Sequence, residues 1–401
     1  MIYPNIYFYN HLEMKKNSSA IKYITFGSPL IDIIVDVESD FISRNSLKLD
    51  TTNHVDSSSD PVFREIKAYK AHYIPGGCSY NAIRILNWIL SETEEPGSVA
   101  CIGSIGNDIE GSTYISLLEK ENITSIFETY KGKITGKCAV ICNLRNRVHL
   151  TDLGASTLIS DEFVENNWSS IKDVSLIYTE LYILSSRASI VFKLAELCLD
   201  DNKLFGFNLP AEFFLNKFSE KIIEVISYGD VIFANLEEAK FMVSDILKQD
   251  YNDNSELALI LAKLPKKNEN KKRAFIVTCG PDPAYVVVYD HAKNKVEYCN
   301  SFEPLLVEKD NIVDTNGAGD SFAGGFLAYY VKGKHIEDCM LAGHYAAAAI
   351  IQKRGVDITF NETPDINGYK TRFECKTGSS SNLNIVNKTY SNSKNDLHDF
   401  I

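Results

Sequence analysis

Short runs of β-branched and aromatic residues alternate with longer amphipathic segments along most of this chain, and that alternation restricts the folds available to it. The runs predicted to be strands are 21–26, 98–103, 175–179, 204–209, 230–235, 273–278 and 284–289. The segments predicted to be helices are 79–93, 111–122, 187–200, 211–227, 235–248, 255–264, 318–332 and 336–353. A helix between consecutive strands lets them lie side by side in the same direction. The sequence therefore predicts an α/β fold with a mostly parallel central sheet flanked by helices.

Two stretches interrupt the alternation, because 34–71 and 126–152 have strand-like patterns without an intervening helix. We expect them to pair as a small antiparallel β-sheet that forms a lid, with the polar segment 50–60 as a mobile loop. Residues 1–20 precede the first strand as an extension, and the Ser-, Asn- and Lys-rich residues 369–401 are predicted to be a disordered tail. The predicted large α/β domain comprises 21–33, 72–125 and 153–368.

The composition argues against several classes of function. A formal net charge of -12 provides no general positive field for long nucleic acids, so we expect no nucleic-acid partner. The nine cysteines are odd in number and include no C-x-x-C pair, which favours reduced thiols over disulfides or a zinc site. No apolar run reaches the roughly 18–20 residues of a membrane span, and the N-terminus lacks a secretory pattern. We expect a monomer that has no membrane partner. We expect it in the cytoplasm, and a protein present in both cytoplasm and nucleus is the alternative.

The stretch "DTNGAGDSFAGGFL" (314–327) combines small residues and an acid at the start of a predicted helix. The strand-like "NIVDT" (311–315) leads into Gly317, Ala318 and Gly319, which would let an anion approach the free N–H groups of the helix. Asp320 follows in the first turn, where a carboxylate could accept a proton beside that anion site, as a kinase base does. The alternative is a tight turn followed by an Asp that favours the helix start, and the motif alone leaves both open.

Two further motifs have polar residues beside glycines or at a strand end. In "IPGGCSYNAIRILNWIL" (74–90), Gly76 and Gly77 precede a helix that contains Asn81, an arrangement suited to a hydroxyl-rich ligand or to a plain turn. In "GSPLIDI" (27–33), Asp32 follows the first strand. Its carboxylate could accept two hydrogen bonds from a vicinal diol, or it could be an ordinary exposed loop residue.

The segment "ANLEEAKF" (234–241) follows a predicted strand and begins a helix. Asn235 and Glu238 have the spacing of a capping box, in which each side chain accepts a backbone N–H of the other residue. The alternative is that Glu238 organises water molecules around Mg²⁺ at the strand ends.

Taken together and in this order, the motifs resemble those of the PfkB family of sugar and nucleoside kinases, which have the ribokinase-like fold. The resemblance covers about residues 21 to 368. Within the family, the chain looks most like the adenosine kinases. The segments that carry this likeness are "FGSPLIDI", "GGCSYNAIRILNWIL", "CIGSIGNDIEG", "TGKCAVI" and "AGHYAAAAIIQKRG".

The resemblance implies a nucleotide-binding large domain and ATP-dependent phosphorylation of the adenosine 5′-hydroxyl to AMP, a reaction of purine salvage, with ATP and Mg²⁺ as cofactors. It implies Asp320 as the general base and an anion hole made of Gly317, Ala318 and Gly319. Residues implied to bind the nucleoside are Asp32, Gly76, Gly77 and Asn81. Residues implied to bind ATP or its phosphates are Arg147, Asn235, Thr278, Gly280, Asn316 and His344. Glu238 is implied to contact Mg²⁺ through water.

Several positions depart from the adenosine kinase pattern where apolar or small residues are expected around the base. They are His54, His149, Thr151 and Glu180. A polar group in such a pocket costs about 1–3 kcal/mol unless it finds a partner. These departures keep open a sugar kinase or a kinase of another nucleoside on the same fold. A non-catalytic nucleoside-binding protein is a third alternative, which the intact G-A-G-D sequence disfavours.

Overall fold

Two separate β-sheets form the framework of the protein in a computed structural model that describes residues 20–49, 51–57, 60–91, 98–143, 146–358 and 364–366. The strands are β1 Tyr23–Phe26, β2 Leu30–Asp36, β3 Thr51–His54, β4 His72–Gly76, β5 Val99–Gly106, β6 Thr124–Tyr130, β7 Lys137–Asn143, β8 Asn146–Asp152, β9 Leu176–Glu180, β10 Leu204–Asn208, β11 Val231–Asn235, β12 Arg273–Cys279, β13 Asp282–Asp290 and β14 Lys295–Phe302. All seven predicted strands are present. The predicted extension and tail lie outside the described residues, apart from residue 20.

Helices cover both faces of the larger sheet, and the first two along the chain pack on the smaller sheet. They are α1 Ser39–Arg44, α2 Pro61–Glu65, α3 Cys78–Ile89, α4 Ile109–Lys120, α5 Asp161–Asn166, α6 Trp168–Ile171, α7 Leu184–Leu197, α8 Glu212–Ile226, α9 Leu236–Phe241, α10 Asn254–Ala262, α11 Ala318–Tyr330 and α12 Ile336–Ile350. A π-helical turn, Met242–Ile246, follows α9. The eight predicted helices are all present, with α9 ending in that turn.

The larger sheet has nine strands in the order β14-β13-β12-β11-β10-β9-β1-β5-β6. Its strands pair in parallel from β12 to β6, while β13 and β14 add antiparallel at one edge. Alternate side chains of the strands enter different cores, since Ile24 packs with residues of α7 and α8 whereas Tyr23 packs with residues of α3, α11 and α12. The predicted parallel α/β architecture is confirmed.

The smaller sheet has the order β3-β8-β7-β2-β4 and is mixed. Its pairs β2/β7 and β3/β8 are parallel, so the prediction of an antiparallel sheet was wrong. The pairings also place all of β2 and β4 in this sheet and β6 in the larger one. The boundaries of the smaller sheet therefore differ from the predicted 34–71 and 126–152. Residues 51–54, predicted to be part of a loop, form its edge strand β3. These differences arise from long-range pairing, which local sequence patterns do not specify.

One face of the smaller sheet packs against α1 and α2 through a small apolar core that includes Ile33, Phe41 and Phe63. Asp32 lies between Ile31 and Ile33 on β2, so its side chain is on the opposite face. That face is directed toward the large domain, where Ile34 and Ile74 would contact a Cβ added to Gly355. The sheet therefore has the position expected of a lid.

Adjacent glycines in α11 permit close packing with two neighbouring helices. A Cβ at Gly324 would lie 2.2 Å from the carbonyl oxygen of Ala82 in α3, and one at Gly325 would lie 2.4 Å from that of Ala342 in α12. We expect Gly324→Ala to lower the free energy of unfolding by about 2 kcal/mol, because the backbone of α3 must move. Gly319→Ala is the control, since a Cβ there has no neighbour within 4 Å. Equal denaturation midpoints for the two variants would contradict this packing.

Within the described residues, no helix combines the length and the apolar character needed to cross a bilayer. The eight described cysteines are free thiols.

Candidate active site

A cavity of about 240 Å³ lies where the parallel strands of the larger sheet end. Residues at or just beyond the carboxyl ends of β9, β10, β11 and β12 line one side, and the loop that begins α11 lines the other. Ligands of open α/β sheets bind in crevices at this edge. The cavity brings together eight of the predicted site residues, namely Asn235, Glu238, Thr278, Asn316, Gly317, Ala318, Gly319 and Asp320.

The loop before α11 turns sharply at Gly317, which has φ 69° and is the N-cap residue of the helix. No side chain of the described residues caps α11, and apart from the Ala318 N–H, which donates to the carbonyl oxygen of Thr315 at 3.3 Å, the first N–H groups of the helix are available to an anion in the cavity. The strand-like segment 311–315 is not a strand in the structure. The backbone N–H groups of Val313 and Asp314 instead donate to the carbonyl oxygen of Ile351, at 2.8 and 3.1 Å.

Asp320 lies in the first turn of α11 and accepts a hydrogen bond from Nδ2 of Asn81 at 3.0 Å. The Asn81 side chain is buried, and its Oδ1 has no hydrogen-bond partner among the described residues. Burial raises the pKa of Asp320 to about 7, the Asn81 hydrogen bond opposes that rise, and the nearby Glu180 carboxylate adds to it. The site thus combines a carboxylate with a pKa of about 7 and an acceptor oxygen that has no donor in the described part of the chain.

Asp32 lies against the glycine pair, since a Cβ at Gly76 would be 2.4 Å from its Oδ1. Burial raises the pKa of Asp32 to about 7, while Arg84 lowers it and Asp320 raises it further. The fully buried Arg84 donates to the carbonyl oxygen of Pro75 at 2.7 Å and thereby supports the strand end before the glycines. Gly77 has φ 100°, a conformation that favours glycine. Asp32 and the glycine pair are therefore adjacent.

The lid is joined to the loop before α11 by side chains of β8. Arg147 forms an ion pair with Asp314 and donates from Nη2 to Oγ1 of Thr315 at 3.0 Å. Nδ2 of Asn316 donates to Nε2 of His149 at 2.6 Å. Burial and the neighbouring Arg147 lower the pKa of His149 to about 4, so the imidazole is neutral at neutral pH. These contacts hold the smaller sheet against the segment that precedes α11.

Asp314 is a residue whose role sequence reasoning missed. Its Oδ1 accepts the backbone N–H of Asn316 at 2.7 Å, and its Oδ2 accepts that of Gly355 at 3.0 Å. Because its side chain is buried, these bonds and the ion pair fix the loop before α11 relative to the lid. Asn208, the last residue of β10, also lines the cavity and was missed. A polar residue at the end of an apolar strand is a recognisable signal.

Asn235 and Glu238 form the capping box that the sequence suggested. The Glu238 N–H donates to Oδ1 of Asn235 at 2.8 Å, and the Asn235 N–H donates to Oε2 of Glu238 at 2.9 Å. Both residues nevertheless line the cavity. Burial raises the pKa of Glu238 to about 7, with a further contribution from the Asp320 charge. The cap therefore holds the Glu238 carboxylate beside the proposed anion site.

The charges that line the cavity are all negative among the described residues. Glu180, Glu238 and Asp320 line it, whereas no Lys, Arg or His does. A polyphosphate would therefore need a cation bound with it, and carboxylate oxygens suit Mg²⁺. Within the described part of the chain, no three His, Cys, Asp or Glu side chains form a metal-binding cluster. The carboxylates of the cavity therefore suit a cation that is bound to the phosphates of a nucleotide. They suit less well a cation that is bound by protein side chains alone.

Besides Arg147, two residues predicted to bind ATP lie outside this cavity lining. Gly280 is in the turn between β12 and β13, with φ 61°. His344 is buried in α12, where its ring lies edge-on to Phe322 with the centroids 5.0 Å apart. Burial lowers the pKa of His344 to about 4. A contact between either residue and a nucleotide stays a prediction.

The polar residues that depart from the adenosine kinase pattern have different surroundings. His54 is exposed, and the buried Thr151 donates to Sγ of Cys138 at 3.4 Å. Glu180 is only 4% exposed and lines the cavity. Of the four departures, Glu180 is therefore the one that enters the lining of the cavity.

Comparison with known proteins extends these observations. Residues 47–364 match the family described as pfkB family carbohydrate kinase. Adenosine kinase of Dictyostelium discoideum is 31% identical over 349 residues, which cover 86% of this chain and 98% of the relative. Adenosine kinase 1 of Arabidopsis thaliana is 30% identical over 344 residues, which cover 85% of this chain and 96% of the relative.

Solved structures agree with the sequence comparison. The Anopheles gambiae adenosine kinase in complex with P1,P4-di(adenosine-5) tetraphosphate has a TM-score of 0.76 at 26% identity, covering 87% of this chain and 100% of the other. The Schistosoma mansoni adenosine kinase in complex with 2-fluoroadenosine has a TM-score of 0.74 at 29% identity, covering 85% and 98%. Because the family match spans most of the chain and the relatives align over nearly their whole lengths, the chain belongs to the PfkB family and, within it, to the adenosine kinases.

Proposed function

We propose that this protein transfers the γ-phosphoryl group of ATP to the 5′-hydroxyl of adenosine, giving AMP and ADP. The observation that carries the proposal is the position of Asp320, whose carboxylate and the uncapped start of α11 line one cavity. A base and an anion hole within reach of the same reacting group are the parts that phosphoryl transfer requires. The same reaction in the cytoplasm would serve purine salvage.

In this mechanism Asp320 is the general base. Its pKa of about 7 keeps a substantial fraction of the carboxylate ionised near neutral pH while leaving it basic enough to accept the proton of the attacking hydroxyl. The hydrogen bond from Asn81 orients the carboxylate. The Oδ1 of Asn81 without a partner and the adjacent Asp32 would accept hydrogen bonds from ribose hydroxyls, beside the backbone of Gly76 and Gly77.

The transferring phosphoryl group would lie against the first N–H groups of α11, at Gly317, Ala318 and Gly319. Asn235, Thr278 and Asn316 would contact the remaining phosphates from the facing strand ends. Mg²⁺ bound to ATP would offset phosphate charge, with Glu238 reaching it through water. Arg147 of the lid is held beside this loop by Asp314, from which it could also reach a phosphate. A lid bound to the loop would help to exclude water, which would otherwise hydrolyse ATP.

The pH dependence of the turnover number should follow the pKa of Asp320, which the neighbouring groups set. The protonated carboxyl cannot act as a base, so we expect the turnover number to fall as the pH drops through about 7. In Asn81→Ala, loss of the hydrogen bond that lowers the pKa of Asp320 should move this acidic limb to higher pH. Initial rates measured between about pH 5 and 9 at saturating substrates test the shift. A limb that stays in place or moves to lower pH would contradict the assignment.

The proposed function is tested by ADP release from ATP and Mg²⁺ with adenosine, other nucleosides, ribose and fructose as acceptors. Turnover that depends on adenosine supports the proposal. A weaker response to 2′-deoxyadenosine would support the role of Asp32 at the ribose hydroxyls. If a sugar or another nucleoside is phosphorylated and adenosine is inert, the acceptor assignment is wrong. If no acceptor is phosphorylated, the phosphotransferase assignment itself is wrong.

A further inference from the structure

Glu180 is a buried carboxylate in the cavity that the proposed mechanism does not use. It is the last residue of β9, and the adjacent cavity residues are Cys78, Leu181 and Tyr182. Burial raises its pKa. A buried carboxylate costs free energy unless it is hydrogen-bonded, so its surroundings should show what holds it there.

Two backbone N–H groups hold the Glu180 carboxylate in place. Ser28 donates to Oε1 at 2.9 Å, and Ser79, in the first turn of α3, donates to Oε2 at 3.3 Å. The hydroxyl of Ser79 lies 3.5 Å from Oε2, at the limit of a hydrogen bond. The hydroxyls of Ser28 and Ser79 also hydrogen-bond to the carboxylate, which has about four lone-pair positions, so a donor on a ligand would take the place of one of these hydroxyls. The two backbone hydrogen bonds fix the orientation of the Glu180 carboxylate.

An aromatic ring lies beside this carboxylate. Tyr182 lines the cavity, and its hydroxyl accepts the backbone N–H of Ala211 at 2.9 Å. Its ring packs edge-on against Phe214, with centroids 5.2 Å apart, and is stacked with Phe213 at 6.3 Å. The ring is thus held by one edge contact and by stacking on one face, and a ring fixed in this way is suited to stacking with a planar base through its other face.

The positions of the other groups decide which part of the acceptor reaches this end of the cavity. The phosphates would occupy the end lined by Asn235, Thr278 and the start of α11, and the reacting hydroxyl would meet Asp320. The base of the nucleoside would then lie beside Cys78, Glu180 and Tyr182, which line the same cavity. This step rests on the proposed function.

We propose that Glu180 determines acceptor specificity by accepting a hydrogen bond from an amino group on the base of the nucleoside. The exocyclic amino group of adenine is such a donor, whereas a ring nitrogen or a carbonyl oxygen facing the carboxylate would be repelled by it. The class of acceptor is therefore an amino-substituted base, with the ring stacked near Tyr182.

The test compares adenosine with purine riboside, which lacks only the 6-amino group, in the wild-type protein and in Glu180→Ala. In the wild type, kcat/KM for adenosine should exceed that for purine riboside by about tenfold or more, as expected for a hydrogen bond to a charged group. In Glu180→Ala the two values should come within about threefold of each other. A ratio taken within one variant is independent of the fraction of folded protein.

A second variant covers the case in which Glu180→Ala does not fold. Glu180→Gln keeps the size of the side chain and adds an N–H donor, so its kcat/KM for inosine, which has a carbonyl oxygen at position 6, should rise relative to adenosine by about tenfold. Selectivity ratios equal to those of the wild type in whichever variants fold would overturn the proposal. That outcome differs from failure of the proposed function, in which no nucleoside is phosphorylated by the wild-type protein.

Discussion

Asp320→Asn is expected to lower the turnover number with adenosine and ATP by about 10²–10⁴-fold, the range typical of losing a general base. The amide retains the shape of the side chain but cannot take the proton of the attacking hydroxyl. It can still accept the hydrogen bond from Asn81 through its carbonyl oxygen, so the position of α11 relative to α3 should be preserved. We therefore expect the affinity for adenosine to change by less than about tenfold.

Steady-state rates, together with adenosine binding measured by calorimetry, separate these two effects. Asp310→Asn is a suitable control, because it makes the same substitution at an exposed position ten residues earlier that does not line the cavity. A collapse of binding with turnover preserved would show that Asp320 holds the substrate and is not the base.

Gly317→Ala is expected to lower the turnover number by roughly 10²–10³-fold, similar to removing a donor from an oxyanion hole. Gly317 has φ 69°, where a side chain costs roughly 1–2 kcal/mol. The added Cβ would also lie 2.2 Å from Cγ2 of Val356. Because this glycine begins α11, relief of the clash would move the N–H groups that face the cavity.

Gly333→Ala provides a control with matched strain. Gly333 has φ 63° in the turn after α11, and a Cβ there has no neighbour within 4 Å. Both variants should lose some stability, while only Gly317→Ala should lose activity. Similar activity of the two variants would show that the start of α11 does not have to be held in place for catalysis.

Much of the framework could be predicted because strands and helices differ in the pattern and length of their apolar segments. Runs such as 230–235 and 273–278 have the β-branched and aromatic character of buried parallel strands, and both are strands of the larger sheet. The G-A-G-D sequence likewise predicted an uncapped helix start beside a carboxylate, because glycine and alanine leave the helix N–H groups accessible.

The parts that were not predicted depend on contacts between distant segments. The parallel pairing of β2 with β7 joins residues about a hundred positions apart, and no local pattern records it. The ion pair of Arg147 with the buried Asp314 is similar, since the sequence shows two charges without showing that they meet. Glu180 was recognised as a departure, but its two backbone donors became apparent only in the folded chain.

The most direct test of the account is to follow the γ-phosphoryl group itself. ATP labelled at the γ-phosphate is incubated with Mg²⁺, adenosine and the full-length protein, and the products are separated by chromatography. The account predicts that the label appears in AMP, that the phosphate is attached at the 5′ position, and that Asp320→Asn forms little labelled AMP in the same time. Label that appears only in inorganic phosphate, or that remains in ATP, would contradict it.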